Sequence, residues 1–257
     1  MSRQLFDLTG KVVIVTGSGR GLGKAIARGV GAAGAAVVVS ARTAKEVETT
    51  AGELRDAGIT VAAVPFDATI RSDCQRLIEE TIRRFGKLDV IVVNHGISEA
   101  RPAEDVDEES WQRIMHVNLT GAFNCAQLAA RQMIAQGRGG SIIFISSTAS
   151  LVGFRNLLAY GASKGGVDQM MRQMAVEWGT HNIRVNAINP GYTTHDVRGT
   201  ESRHADPALN EEIKRMTPLE RRGTPEEFVG PAIFLASEAS SFVTGVALPV
   251  DGGYCAL

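Results

Sequence analysis

Short β-branched runs recur along the chain, with longer segments of helical spacing between them. The runs are Val12–Val15, Val37–Val39, Val61–Val64, Val90–Val93, Ile142–Ile145, Val185–Ile188 and Val246–Val250. Most are apolar at every position, the mark of parallel strands covered on both faces rather than of a half-solvated sheet. Cys74, Leu77, Ile78, Thr81, Ile82 and Phe85 form one helical stripe; Val167, Met170, Met171, Met174, Ala175 and Trp178 form another. Thr224-Pro225-Glu226-Glu227 reads as a capping box with proline at the first helical position. Strands alternating with helices predict a doubly wound α/β fold: a seven-stranded, mostly parallel sheet with helices on both faces. No repeat, low-complexity tract or linker divides the chain, so one domain over residues 1–257 is expected.

One stretch breaks this rhythm. Tyr192 to Gly223, between the sixth and seventh strands, holds six acidic residues, six Lys/Arg and two histidines, with few apolar anchors. Open α/β sheets bind ligands at the carboxyl ends of their strands. An insertion there reads as a substrate lid at about 192–223; a solvated pair of surface helices is the alternative.

Composition narrows the class. A chain of 257 residues with 44% hydrophobic content can bury one sizeable core. Lys+Arg 27 against Asp+Glu 28 leaves a net charge of −1, which argues against binding nucleic acid or an anionic membrane. Aromatic residues at 5% make a poor stacking platform for single strands. Cys74, Cys125 and Cys255 are far apart along the chain and form no CxxC pair, so neither a disulfide framework nor a metal site is expected. The start, residues 1–11, lacks the apolar core of a signal peptide, and the uncharged stretch Gly29–Ala41 is too short to span a bilayer. A cytoplasmic protein acting on a small molecule is the expectation.

The 28 glycines exceed the usual share of about 7%, and their placement matters more than their number. Thr16-Gly17-Ser18-Gly19-Arg20-Gly21-Leu22-Gly23 follows the first strand and opens a helix. Leu22 stands where G-x-G-x-x-G requires its last glycine, leaving G-x-x-x-G-x-G from Gly17, Gly21 and Gly23. Such a turn lets backbone N–H groups approach a pyrophosphate at a helix N-terminus. A glycine-rich turn with no ligand is the other reading. The second strand ends Val39-Ser40-Ala41-Arg42, without the carboxylate that would hold the ribose 2′-hydroxyl of NAD. Arg42, with Arg20 inside the turn, suits a 2′-phosphate, so NADP is expected over NAD.

Tyr160 and Lys164 lie at i and i+4 of a helix, which brings an ammonium near a phenol. An adjacent cation lowers the phenol pKa and equips it for proton exchange. The pair begins thirteen residues after Ser147, at the end of the fifth strand.

With these elements in order, the chain resembles the short-chain dehydrogenase/reductase family over essentially its whole length. The resemblance rests on the Thr16–Gly23 turn, Asp67, Asn94-His95-Gly96, Asn118, Ser147, Tyr160-x-x-x-Lys164, Asn189-Pro190-Gly191 and Asp251-Gly252-Gly253. It implies a Rossmann-type domain that moves a hydride between a nicotinamide and a carbonyl or secondary alcohol. By that resemblance Tyr160 exchanges the proton, Ser147 orients the substrate oxygen, Lys164 tunes the tyrosine and holds the ribose, and Asn118 anchors a relay water. Gly17, Ser18, Arg20, Gly21, Leu22, Gly23, Arg42, Asp67, Ala68, Asn94, Gly96, Pro190, Gly191 and Thr193 would hold the cofactor, Asp67 at the adenine amine.

Two positions depart from the family pattern. His95 replaces a small residue and is either a substrate contact or auxiliary proton group, or a locally satisfied histidine. His195 stands where a threonine commonly follows the Pro-Gly turn. His95, Ser98, Arg155, Tyr192 and His195 are the candidate substrate contacts. Their polarity favours a polyol, sugar or sugar acid, and the overall resemblance leans towards gluconate 5-dehydrogenase-like members. A 3-oxoacyl thioester reductase, with Arg101, Arg131, Arg138 and Arg155 meeting an acyl carrier, is the rival, and a non-catalytic nucleotide-binding sensor or scaffold is the reading from another class. The resemblance further implies a homo-oligomer, commonly a tetramer, for which the Leu119–Ile134 helix and the Met-rich helix offer faces.

Overall fold

The computed structural model describes residues 5–194 and 206–257. Its centre is one seven-stranded sheet: β1 (Val12–Thr16), β2 (Ala36–Ser40), β3 (Val61–Ala63), β4 (Val90–Val93), β5 (Gly140–Ile145), β6 (Ile183–Pro190) and β7 (Ala247–Val250). The order across the sheet is β3-β2-β1-β4-β5-β6-β7. Every pairing is parallel, so the sheet is wholly rather than mostly parallel. All seven apolar runs are strands. They differ from the sequence expectation at their ends, most at β6, which extends to Pro190 because it pairs through Val250 of β7.

The helices are α1 (Gly21–Ala32), α2 (Ala44–Asp56), α3 (Arg71–Phe85), α4 (Glu108–Met115), α5 (Gly121–Gln136), α6 (Leu158–Trp178), α7 (Pro207–Met216) and α8 (Val229–Ala236). They cover both faces, which is why the strands are apolar throughout. Successive strand side chains point to opposite faces. Val13 and Val15 pack with Ile26 and Val30 of α1, Leu54 of α2 and Leu235 of α8. Ile14, between them, packs on the other face with Leu77 of α3, Met133 of α5 and Met171 of α6. Each such side chain contributes about 1.5–3 kcal/mol when fully buried.

The two helical stripes sit where spacing placed them. Cys74, Leu77, Ile78 and Thr81 are buried along α3, with Ile82 and Phe85 partly so. Cys74 Sγ lies 3.7 Å from Cys125 Sγ of α5, and all three cysteines are free. The Thr224–Glu227 capping box is formed and opens a short 3-10 turn leading into α8. Within the 192–223 segment, Asp206 caps α7 by accepting from the Ala208 and Leu209 N–H groups. Among the described residues no helix is long and apolar enough to cross a membrane, and no cluster of His, Cys, Asp and Glu is arranged for a metal.

Connections from β1 run to one side of the sheet and those from β4 to the other, so the crevice at their carboxyl ends is the topological switch point.

Candidate active site

A cleft of about 330 Å³ opens at this switch point. Its floor is the turn after β1. Gly17 has φ +64°, and a Cβ there would lie 2.9 Å from Asn94 Nδ2 and 3.0 Å from His95 Cα, so the position requires glycine on both counts. At Gly23 a Cβ would meet Asn94 Nδ2 and the Gly17 carbonyl at under 3 Å; this residue lets α1 close on the turn and does not itself line the cleft. Ser18 is also buried behind the turn, where its hydroxyl donates to the Val15 carbonyl (2.7 Å) and accepts from the Ser40 N–H (2.8 Å). Gly17, Arg20, Gly21 and Leu22 form the surface that faces the cleft. The Arg20 side chain makes no capping bond at the start of α1, and the N–H groups of a first helical turn favour an anion.

At the far end, Arg42 and Thr43 follow β2 beside Arg20. Glu46, from the first turn of α2, lines the same end and escaped the sequence reading, which stopped at Arg42. Asp67 and Ala68 lie beyond β3, where Asp67 Oδ1 is fixed by the Thr69 N–H (2.9 Å) and hydroxyl (2.7 Å).

Asn94 reaches back to β1 as expected, its Nδ2 donating to the carbonyls of Thr16 and Gly17 at 3.1 Å each. His95 Nδ1 is 2.9 Å from Thr16 Oγ1, and Nε2 is buried with no hydrogen-bond partner among the described residues. Burial, and then the Lys164 cation, push the imidazole pKa down to about 3, so the ring is neutral at physiological pH. It packs edge-on against Phe66.

The reactive groups gather on the opposite wall. Tyr160 and Lys164, on the first two turns of α6, and Ser147, just beyond β5, all line the cleft. Lys164 Nζ lies 5.7 Å from the Tyr160 ring centroid and donates to the Ile145 carbonyl at 2.8 Å. Burial pulls its pKa down to about 8, against the opposing pull of Asp168. Ser147 Oγ accepts from the Ala149 N–H (3.1 Å), which sets its rotamer at the start of a 3-10 turn.

Asn118 sits behind this wall on a five-residue π-turn, His116–Thr120, between α4 and α5. Its amide pairs with the Ile97 backbone in both directions (2.8 and 2.9 Å) and donates to Ser163 Oγ (3.0 Å). A Cβ added to Gly96 would lie 3.4 Å from Asn118 Oδ1 and 3.5 Å from Lys164 Nζ, so both flank the same gap.

Pro190, Gly191, Tyr192, Thr193, Ser98 and His95 also line the cleft. Arg155 is exposed and outside it, and His195 lies outside the described residues. Leu209 and Arg222 join the lining from the 192–223 segment. The Arg222 guanidinium sits 5.6 Å from the Tyr192 ring centroid and bonds Asn210 Oδ1 (3.0 Å) and the Thr193 carbonyl (3.2 Å). Tyr192 also packs on Phe154 and Tyr254. No local spacing rule links Arg222 or Tyr254 to Tyr192; the contacts exist only in the fold.

Comparison with known proteins gives the same placement. A family model described as Enoyl-(Acyl carrier protein) reductase matches residues 17–255. The 5-keto-D-gluconate 5-reductase of Escherichia coli strain K12 is 37% identical over 249 residues, 97% of each chain. The 2-dehydro-3-deoxy-D-gluconate 5-dehydrogenase of Dickeya dadantii is 38% identical over 252 residues, 98% of each chain. The crystal structure of a gluconate 5-dehydrogenase from Burkholderia cenocepacia in complex with NADP and tartrate superimposes with a TM-score of 0.95, at 36% identity and 100% coverage of both chains. These matches span nearly the whole chain: it belongs to the short-chain dehydrogenase/reductase family and is an NAD(P)-dependent oxidoreductase.

Proposed function

We propose that the chain interconverts a ketone and a secondary hydroxyl on a sugar acid or polyol, with NADP(H) as the hydride carrier. The observation that carries this is one cleft joining the Gly17–Leu22 turn to Ser147, Tyr160 and Lys164, with arginines at its nucleotide end. The relatives named for gluconate and deoxygluconate chemistry support the substrate class. The polar wall of Ser98, Tyr192 and Arg222 suits a hydroxylated, anionic substrate better than a steroid-sized apolar one. Arg101, invoked for an acyl carrier, is ion-paired with Glu99 and Asp107 instead.

The turn and α1 would hold the pyrophosphate, Asp67 and Ala68 would border the adenine, and Pro190, Gly191 and Thr193 would line the nicotinamide end. When bound, the nicotinamide donates or accepts the hydride. Tyr160 gives its phenolic proton to the substrate oxygen in reduction and takes it back in oxidation. Ser147 hydrogen-bonds and orients that oxygen. Lys164 stabilises the phenolate and bonds the ribose, and Asn118 extends the proton path from Lys164 across the Gly96 gap. His95 lines the cleft but, held neutral with Nε2 buried, takes no part in proton transfer. The described part of the 192–223 segment contributes Leu209 and Arg222 to the substrate wall, in keeping with a lid.

The test is a panel of hexonates, keto sugar acids, polyols and 3-oxoacyl thioesters, followed by nicotinamide absorbance with NADP(H) and NAD(H) separately. Turnover of a sugar acid or polyol is expected; turnover of the thioester alone overturns the substrate reading. For the cofactor, Arg20 and Arg42 outnumber Glu46 at the 2′ end. A charge-assisted hydrogen bond contributes about 1.5–3 kcal/mol, so Arg42→Asp is expected to lower kcat/KM for NADP by about ten- to a hundredfold and to shift preference towards NAD. An unchanged ratio of the two kcat/KM values removes the 2′-phosphate argument.

The same reading includes self-association. Phe123 and Ile134 of α5 stand beside Met170 and Trp178 of α6 along an apolar groove on the outer face, with Phe123 and Ile134 each 37% exposed. Sedimentation is expected to show a dimer or tetramer, and a monomer at micromolar concentration contradicts it.

A further inference from the structure

The roles given to Tyr160, Lys164 and Ser147 leave one buried carboxylate unused. Asp168 is 2% exposed and stands one turn beyond Lys164 and two beyond Tyr160 on α6. Its Oδ2 accepts from Asn189 Nδ2 of β6 at 2.8 Å and is hydrogen-bonded to the Ser150 hydroxyl. Both of those side chains also lie against the main chain at Ser147: Asn189 Nδ2 is 3.1 Å and Ser150 Oγ 2.7 Å from the Ser147 carbonyl, with the single Ser150 proton shared between that carbonyl and Asp168. The Ser150 N–H adds a third bond to that carbonyl at 3.0 Å. Asn189 Nδ2 also lies 2.8 Å from Ser150 Oγ, its two hydrogens being shared among three acceptors, so the three side chains form a closed cluster behind Ser147.

A carboxylate is a costly choice for this place. A buried ion loses several kcal/mol of hydration even after relaxation, and neutral side chains could tie Ser150 to Asn189. Asp168 Oδ1 and Asn189 Oδ1 are, moreover, buried with no hydrogen-bond partner among the described residues. A partly satisfied polar network lowers stability and marks a site where function is the compensation. The cation that gains from this charge is Lys164, whose direct bond is to the uncharged Ile145 carbonyl.

We propose that Asp168 is a positioning residue for the reaction: through Asn189 and Ser150 it locks Ser147 to the helix that carries Tyr160 and Lys164, and it sets a carboxylate one turn from Lys164 on that helix. The proposal rests on the reading of Tyr160 as the proton-exchanging group. Asp168 thus fastens the end of β5 to α6, and the substrate oxygen meets Ser147 and Tyr160 in a fixed relation. Its field opposes the desolvation that brings Lys164 down to about 8. The other titratable groups facing Lys164 are Tyr160 on the same helix and His95 beyond β4, which is neutral and offers no compensating charge.

Asp168→Asn keeps the shape and removes the charge; Ser150→Ala removes one tie and keeps the charge. Carbonyl reduction measured from pH 6 to 10 separates the two roles. Asp168→Asn is expected to lower kcat about ten- to a hundredfold and to move the basic limb of the kcat/KM profile about a unit towards lower pH, because Lys164 then loses its proton earlier. NADP affinity is expected to stay within about threefold of the parent, since Asp168 lies outside the cleft. Ser150→Ala is expected to lower kcat without moving the limb. An unshifted limb in Asp168→Asn, or a fall in kcat that only follows lost folding or lost NADP binding, overturns the proposal. If Asp168→Asn does not fold, Ser150→Ala decides the positioning role, and parent-like kcat there overturns it. Retained turnover in Tyr160→Phe instead overturns the underlying reading and is scored separately.

Discussion

Tyr160→Phe is expected to lower kcat for carbonyl reduction by about 10²–10⁴-fold, the range supplied by a positioned acid or base, while NADP binding changes little. The substitution removes one oxygen from a residue that is 8% exposed and whose ring stays packed on α6. Lys164, Ser147 and the glycine turn keep their own bonds, to the Ile145 carbonyl, the Ala149 N–H and Asn94 respectively. The loss therefore falls on the proton-transfer step and not on assembly of the cleft. Fluorescence titration with NADPH beside steady-state rates checks the separation. A kcat within threefold of the parent would mean that the proton reaches the substrate by another route.

Lys164→Met is expected to be nearly as damaging, with the opposite sign for stability. Removing the cation beside the phenol disfavours the phenolate, and kcat falls by about 10- to 10³-fold. The folded protein holds Lys164 at about 8 against an ordinary 10.5, so its charged form is disfavoured by folding. Between pH 8 and 10.5 the unfolded chain keeps a proton that the native state has lost, so stability from this group rises with pH across that window. Below pH 8 the native state carries the cation at a cost of about 3 kcal/mol at most. Lys164→Met removes that cost and is expected to hold or raise the thermal midpoint at pH 7, and to flatten its rise above pH 8. A variant that loses activity together with several degrees of midpoint would assign Lys164 to the fold instead.

The strands were legible because α/β strands buried on both faces advertise themselves: Val12–Val15 and Val90–Val93 carry no polar residue at all. The Tyr160–Lys164 pair was legible because i and i+4 adjacency is a local property of a helix. What escaped depends on contacts between distant segments. The π-turn that presents Asn118 has no composition of its own; its geometry follows from the amide pairing with Ile97, across twenty-one positions of chain. Ser18 and Gly23 belong to the turn motif, yet their work is packing behind it, a distinction that spacing alone does not draw. Arg155 was expected among the substrate contacts for its polarity, but it is exposed and outside the cleft. Glu46 and Arg222 enter the lining from elements whose own pattern only announces a helix and a cap.

His95 shows why a titratable residue near a site is not thereby a reactive one. The ring takes the place of a small residue, and the fold accommodates it by enclosing both ring nitrogens between Thr16 and α5 rather than by offering a proton carrier. Burial decides the outcome, because a ring whose pKa is pushed down to about 3 is a poor proton acceptor at pH 7.

The most direct test of the account is the rate of NADPH oxidation by a keto sugar acid, measured side by side in the parent protein and Tyr160→Phe at matched NADPH occupancy. The account predicts turnover in the parent and a rate at least about a hundredfold lower in the variant; equal rates in the two, or reduction of a 3-oxoacyl thioester with no reduction of any keto sugar acid or polyol ketone, would contradict it.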